Sequence, residues 1–111
     1  MSLMKKSAAL FMAAVIVGIS MPAVAQQNSP ASKGYMDAMS SMQSKMPKDM
    51  MDPDTDFARM MIPHHQGAID MANVELQYGK DPVFRKMAEK MIKDQQKEVA
   101  NLQKRLKENG K

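Results

Sequence analysis

The chain has 111 residues and a formal net charge of +4, with fifteen methionines, two histidines, no cysteine and no tryptophan. One small domain is all this length supports, and without thiols no disulfide can staple its modest core. A charge this slight leaves no electrostatic footprint for nucleic acid.

The N-terminus reads as an export signal. Lys5 and Lys6 form a positive leader, and Ala8 to Ile19 is apolar apart from Gly18. Pro22 then precedes Ala23-Val24-Ala25, a small-residue cleavage pattern. Cleavage is expected after Ala25, giving a mature chain of 26–111 in the periplasm. The apolar stretch is too short for an ordinary membrane span, and nothing later is long and apolar enough. Lys5 and Lys6 are the only charges in the segment, so its removal takes the net charge from +4 to +2.

Residues 26–32 are polar, hold Pro30, and read as a flexible lead-in to a single domain at 33–111. A first helix is expected from about Lys33 to Met46, with Met36, Met39, Met42 and Met46 at helical spacing and Pro47 ending it. A second is expected from about Asp54 to Tyr78, capped by Asp54 or Thr55 and closed by Gly79 in the left-handed conformation. Pro63 falls inside it and cannot donate to the carbonyl of Arg59, so the helix either kinks there or is two helices abutting. The third has the clearest limits: Asp81 caps it, Pro82 takes the first position and Gly110 closes it. Its apolar stripe is Phe84, Ala88, Met91, Ile92, Val99, Leu102 and Leu106, with Gln95 inside the stripe. Lys86, Lys90, Lys93, Lys97 and Lys104 line the opposite, solvated face. No strand pattern is present. The pattern predicts an all-α protein, a small antiparallel bundle of three main helices.

Both histidines lie in the run Met60-Met61-Ile62-Pro63-His64-His65-Gln66-Gly67. Adjacent helical residues point about 100° apart, so His64 and His65 cannot easily share one ion from one regular helix. Residues four apart do face each other. Met60 therefore pairs with His64, in a row continued by Met71 with Gly67 leaving room, and Met61 pairs with His65. On a helical wheel His64 falls near the middle of an apolar face and is expected inside, with His65 nearer the edge. A buried histidine needs partners for its nitrogens. Glu75 and Gln95 are candidates, and either could equally orient a ligating ring.

Thioether and imidazole donors suit a soft monovalent ion, Cu(I) or its relative Ag(I), more than zinc, magnesium or calcium. A thioether also needs no deprotonation and cannot pair oxidatively as a thiol does. A methionine stripe can be plain core, because the side chain fills gaps. Yet leucine would specify a small core better, and Met50 and Met51 sit in a polar loop. The first-helix methionines 36, 39, 42 and 46 therefore join the candidate ligands.

The stretch Phe57-Ala58-Arg59-Met60-Met61-Ile62-Pro63-His64-His65-Gln66-Gly67-Ala68-Ile69-Asp70-Met71-Ala72, followed by Glu75, Gly79-Lys80-Asp81-Pro82, Gln95 and Glu98-Val99, resembles the domain-of-unknown-function 305 family, which includes CopM-like periplasmic copper-binding proteins. The resemblance covers about Asp54 to Leu106. It implies a helical bundle of ferritin-like shape. It also implies Cu(I), and sometimes Ag(I), ligation by Met60, Met61, His64, His65 and Met71 in support of metal tolerance. The expected function is sequestration of copper, or its transfer to an efflux or carrier protein. The alternative is a methionine-rich interaction module or stress chaperone without a metal. No di-iron enzyme is expected, because Met61 and Ile62 stand where a glutamate would precede each histidine by three residues, and no other catalytic motif is evident. A homodimer would be one way to bury more surface.

Overall fold

A computed structural model describes residues 28–111 together with Gly18. The expected export segment and the start of the lead-in lie, Gly18 apart, outside the described residues. The rest is all-α, with three helices in the order α1 (Pro30–Lys45), α2 (Pro53–Tyr78) and α3 (Pro82–Glu108).

Each helix begins with the same device, a polar cap followed by proline. Ser29 accepts from the Ser32 N–H at 3.1 Å, Asp52 from the Thr55 N–H at 3.0 Å, and Asp81 from the Val83 and Phe84 N–H groups at 2.8 and 3.2 Å. Pro30, Pro53 and Pro82 then occupy first positions, where the missing N–H costs no helical bond. This corrects two expected starts. α1 begins three residues earlier than its methionine pattern, at Pro30, and α2 is capped by Asp52 rather than by Asp54 or Thr55. Asp54 and Asp56 instead occupy the first turn, where the helix dipole favours them. Arg59 ties the α1–α2 loop down through the Asp49 carbonyl at 3.1 Å and carboxylate at 3.0 Å.

Of the two arrangements open at Pro63, the chain adopts the unbroken one, with Pro63 inside a single α2. The residue is buried, so packing offsets the bond it cannot make to Arg59. Gly79 is not left-handed as expected: its φ is −70°, and the turn is extended there. Two contacts explain this end. The Glu75 carboxylate folds over Gly79 where a Cβ would otherwise sit, and Arg85 donates to the carbonyls of Leu76 and Gly79 at 2.8 and 2.9 Å. A guanidinium thus satisfies the terminal carbonyls that a left-handed cap would have served. Gly110, at φ +68°, is the left-handed residue. Its N–H bonds Lys107 O at 3.1 Å while that of Lys111 bonds Leu106 O at 2.9 Å, closing α3 as a Schellman motif.

The helices run antiparallel. Gly34 meets Val74 and Gly67 meets Met42 between α1 and α2, while Lys111 at the end of α3 lies 3.7 Å from Asp52 at the start of α2. α1 and α3 each pack on α2, and no Cα of α1 comes within 8 Å of one in α3. The result is a single layer of three helices with α2 in the middle. Its buried apolar residues are small or medium: Ala38, Ala58, Ile69, Ala72, Val74 and Ala88, and among the described residues no large side chain is fully enclosed.

Candidate metal-binding face

The layer decides what becomes of the histidine run. α3 covers the arc of α2 that carries Ala58, His65, Ile69 and Ala72. α1 covers the nearly opposite arc with Pro63, Gly67 and Val74. The row Phe57, Met60, His64 and Met71 falls between the two; its first three members are exposed and Met71 is half-buried. Hence His64 is exposed and His65 is half-buried, which reverses the expected placement. The helical wheel located the apolar arc correctly, but no element lies over its middle.

His65 turns toward α3. Its Nε2 lies 2.5 Å from the Glu98 carboxylate, while its Nδ1 is buried without a partner. With Phe57, Met61, Glu98, Asn101 and Leu102 it lines a cleft of about 230 Å³. The expected Met61–His65 pairing therefore survives as a shared cleft, with Glu98 orienting the ring. The ring of His64 stands on the rim, its centroid 6.1 Å from that of His65 and the planes inclined at 61°.

Along the open row Met60 is 40 % exposed. Met71 reaches a second groove, about 340 Å³, lined by Tyr35, Ala68, Glu75, Phe84, Met87 and Met91 among others. Met87 and Met91 were not candidate ligands in the sequence. Met91 belongs to the α3 stripe and Met87 flanks it, and the packing of α3 brings both beside Met71.

The first-helix methionines divide. Met42 alone reaches α2, its sulfur seated over Gly67, so the room expected beneath His64 is filled by a thioether from α1. Met36 and Met39 are exposed and Met46 is half-buried just past the helix end. Glu75 does not serve His64, since eleven residues of helix separate them, about 16 Å along the axis. It sits beside Tyr35 instead; burial, reinforced by the Glu75 charge and hydrogen bond, raises the Tyr35 phenol above its ordinary pKa. Gln95 is half-buried with its Oε1 unpartnered, and it makes no hydrogen bond to His65. The partner of His65 is Glu98, legible in the sequence only as part of the family pattern.

Among the described residues no three His, Asp or Glu side chains converge as a metal-holding group.

The profile of the family described as domain of unknown function DUF305 matches residues 5–106. The chain belongs to the DUF305 family. The match takes in all of α1 and α2, and α3 as far as Leu106, so the first-helix methionines lie within the DUF305 region as well as the histidine run. No curated protein matches the chain.

Proposed function

We propose that this DUF305 protein is an exported, non-enzymatic binder of soft monovalent metal. On this reading it sequesters Cu(I), with Ag(I) a second ion of the same class, or passes it to an efflux or carrier partner in the manner of CopM-like proteins. The observation that carries the reading is the open row of Met60, His64 and Met71. Two of these donors, the Met60 thioether and the His64 imidazole, are exposed to solvent, and the half-buried Met71 continues the row. Next to it Met61 and His65 share a cleft in which the Glu98 carboxylate holds the ring through Nε2. Met42, over Gly67, and the exposed Met36 and Met39 supply further thioethers from α1, with Met46 at its end.

A leader of the kind at residues 1–25 would deliver the chain to the periplasm, where thiols oxidise and thioethers keep their lone pairs free. Methionine itself remains open to sulfoxide formation, so the protein should lose affinity under strong oxidants. The test is anaerobic titration of the exported chain with Cu(I) against a competing chelator. Saturable binding is expected, abolished when Met60, Met61, His64 and His65 are all replaced. Absence of binding, or binding indifferent to those four, would refute the reading.

A further inference from the structure

A layer one helix thick cannot make a core by itself, because an apolar helical face needs a second layer to cover it. The two faces of this layer differ. One carries Lys45, Arg59, Gln66 and Gln103 interleaved with Ile62, Pro63, Val99 and Leu106 around a groove of mixed character. The other carries Met39, Phe57, Met60, Phe84, Met87 and Met91, each between 40 and 60 % exposed, around the Met71 groove. Met39 joins this face because it lies one turn beyond Tyr35, which lines that groove.

From these observations we propose that the methionine-aromatic face is a homodimer interface, and that His64 of two copies meets near its two-fold axis. The area agrees. At roughly 200 Å² for a covered side chain of this size, the six residues leave on the order of 600 Å² open per copy, about 1,200 Å² for a pair, within reach of stable interfaces. The charge pattern agrees as well. Lys86, Lys90, Lys93, Lys97 and Lys104 lie on the far edge of α3, on the side of that helix opposite Ala88, which is buried against α2. No lysine lines the Met71 groove at the centre of the face, while Lys86 and Lys90 flank Met87 at its margin. Two copies can meet across that centre without opposing like cations. Symmetry then places the site. An isologous contact brings residues near the axis against their own copies, and His64 lies at the middle of α2, whose 26 residues span the face. Each copy would add Met60, His64 and Met71 to a shared donor set that one chain leaves open on one side. This last step rests on the metal-binding reading above; the dimer does not.

The experiment is sedimentation velocity on the exported chain, metal-free and then with Cu(I), beside the double variant Phe84→Glu/Met87→Glu. Both positions are exposed in the single chain, so retained helical circular dichroism shows that the variant folds. The chain has no cysteine, so Ala68→Cys reports the face and Lys93→Cys the far edge by disulfide trapping. The expected result is a metal-free dimer, a monomeric double variant with at least tenfold weaker Cu(I) binding, and trapping through position 68 but not 93. A monomer at all concentrations with and without Cu(I), or trapping through 93 alone, would overturn the interface. Undiminished Cu(I) affinity in the monomeric variant would overturn the shared site. A dimer that binds no Cu(I) would leave the interface standing and remove the metal reading.

Discussion

Gly67, three residues past His64, is where the account can be tested quantitatively without metal. A Cβ at this position would lie 2.9 Å from the Met42 sulfur, 3.2 Å from its Cβ and 3.3 Å from its Cγ. Carbon contacts are comfortable at about 3.5–4.0 Å. The sulfur can swing away, but the Met42 Cβ is fixed to the α1 backbone, so Gly67→Ala must push α1 outward by a few tenths of an ångström. Overpacking of this kind costs about 1–3 kcal/mol, against a gain of about 1 kcal/mol for removing glycine from a helix interior. The net expectation is a loss of about 1 kcal/mol, seen as a fall in Tm of about 4–8 °C for a domain of this size. In a Met42→Gly background all three contacts, the Cβ included, are gone. Gly67→Ala should there become neutral or stabilising, a coupling of about 1 kcal/mol between the two positions. Thermal and urea unfolding followed by circular dichroism, at fixed protein concentration with chelator present, measures the cycle. If Gly67→Ala raises Tm in the otherwise unaltered chain, or the coupling lies within about 0.3 kcal/mol of zero, the close approach of α1 to the histidine helix is wrong.

His64→Ala should change metal-free stability by less than about 0.5 kcal/mol, since the side chain is exposed, while weakening Cu(I) binding in the competition titration. His65→Leu removes a buried nitrogen that lacks a partner, so its stability should stay within about 1 kcal/mol of the parent or rise, again with weaker Cu(I) binding; a collapse of Tm would show the His65–Glu98 pair to be structural. The N–H and hydroxyl of Thr55 hold the Asp52 carboxyl below its ordinary pKa at the start of α2. Its contribution is therefore present above the unfolded carboxylate pKa of about 4 and is lost as pH falls through the lower folded value. Asp52→Asn keeps the cap but cannot titrate, so Tm should fall less steeply between about pH 5 and 2 than in the parent. An unchanged acid slope would argue against it.

How far the sequence could be read follows from where each feature is decided. The limits of α3 were legible because Asp81, Pro82 and Gly110 act on their own neighbours. The start of α2 was misplaced by two residues because Asp52, Asp54 and Thr55 are all competent caps, and only Pro53 at the first position discriminates. Gly79 misled for another reason: its end of α2 is satisfied by Arg85 from across the turn, a contact that glycine alone does not announce. The histidine run shows the limit most clearly. Spacing put Met61 one turn before His65, where both line one cleft, and gave the row Met60, His64 and Met71. It could not say which arc of α2 its two neighbours would occupy, and that choice put His65 inside and His64 out. Met87 and Met91 were missed because their place beside Met71 depends on the α2–α3 register. Glu98 was missed as a partner for the same reason.

The most direct test of the central claim is X-ray absorption at the copper edge of the Cu(I)-loaded, exported protein. The account predicts a first shell containing both thioether sulfur and imidazole nitrogen, with the nitrogen component reduced in His64→Ala and the sulfur component in a Met60→Leu/Met71→Leu variant. A shell of nitrogen and oxygen alone, or one that neither substitution alters, would contradict it.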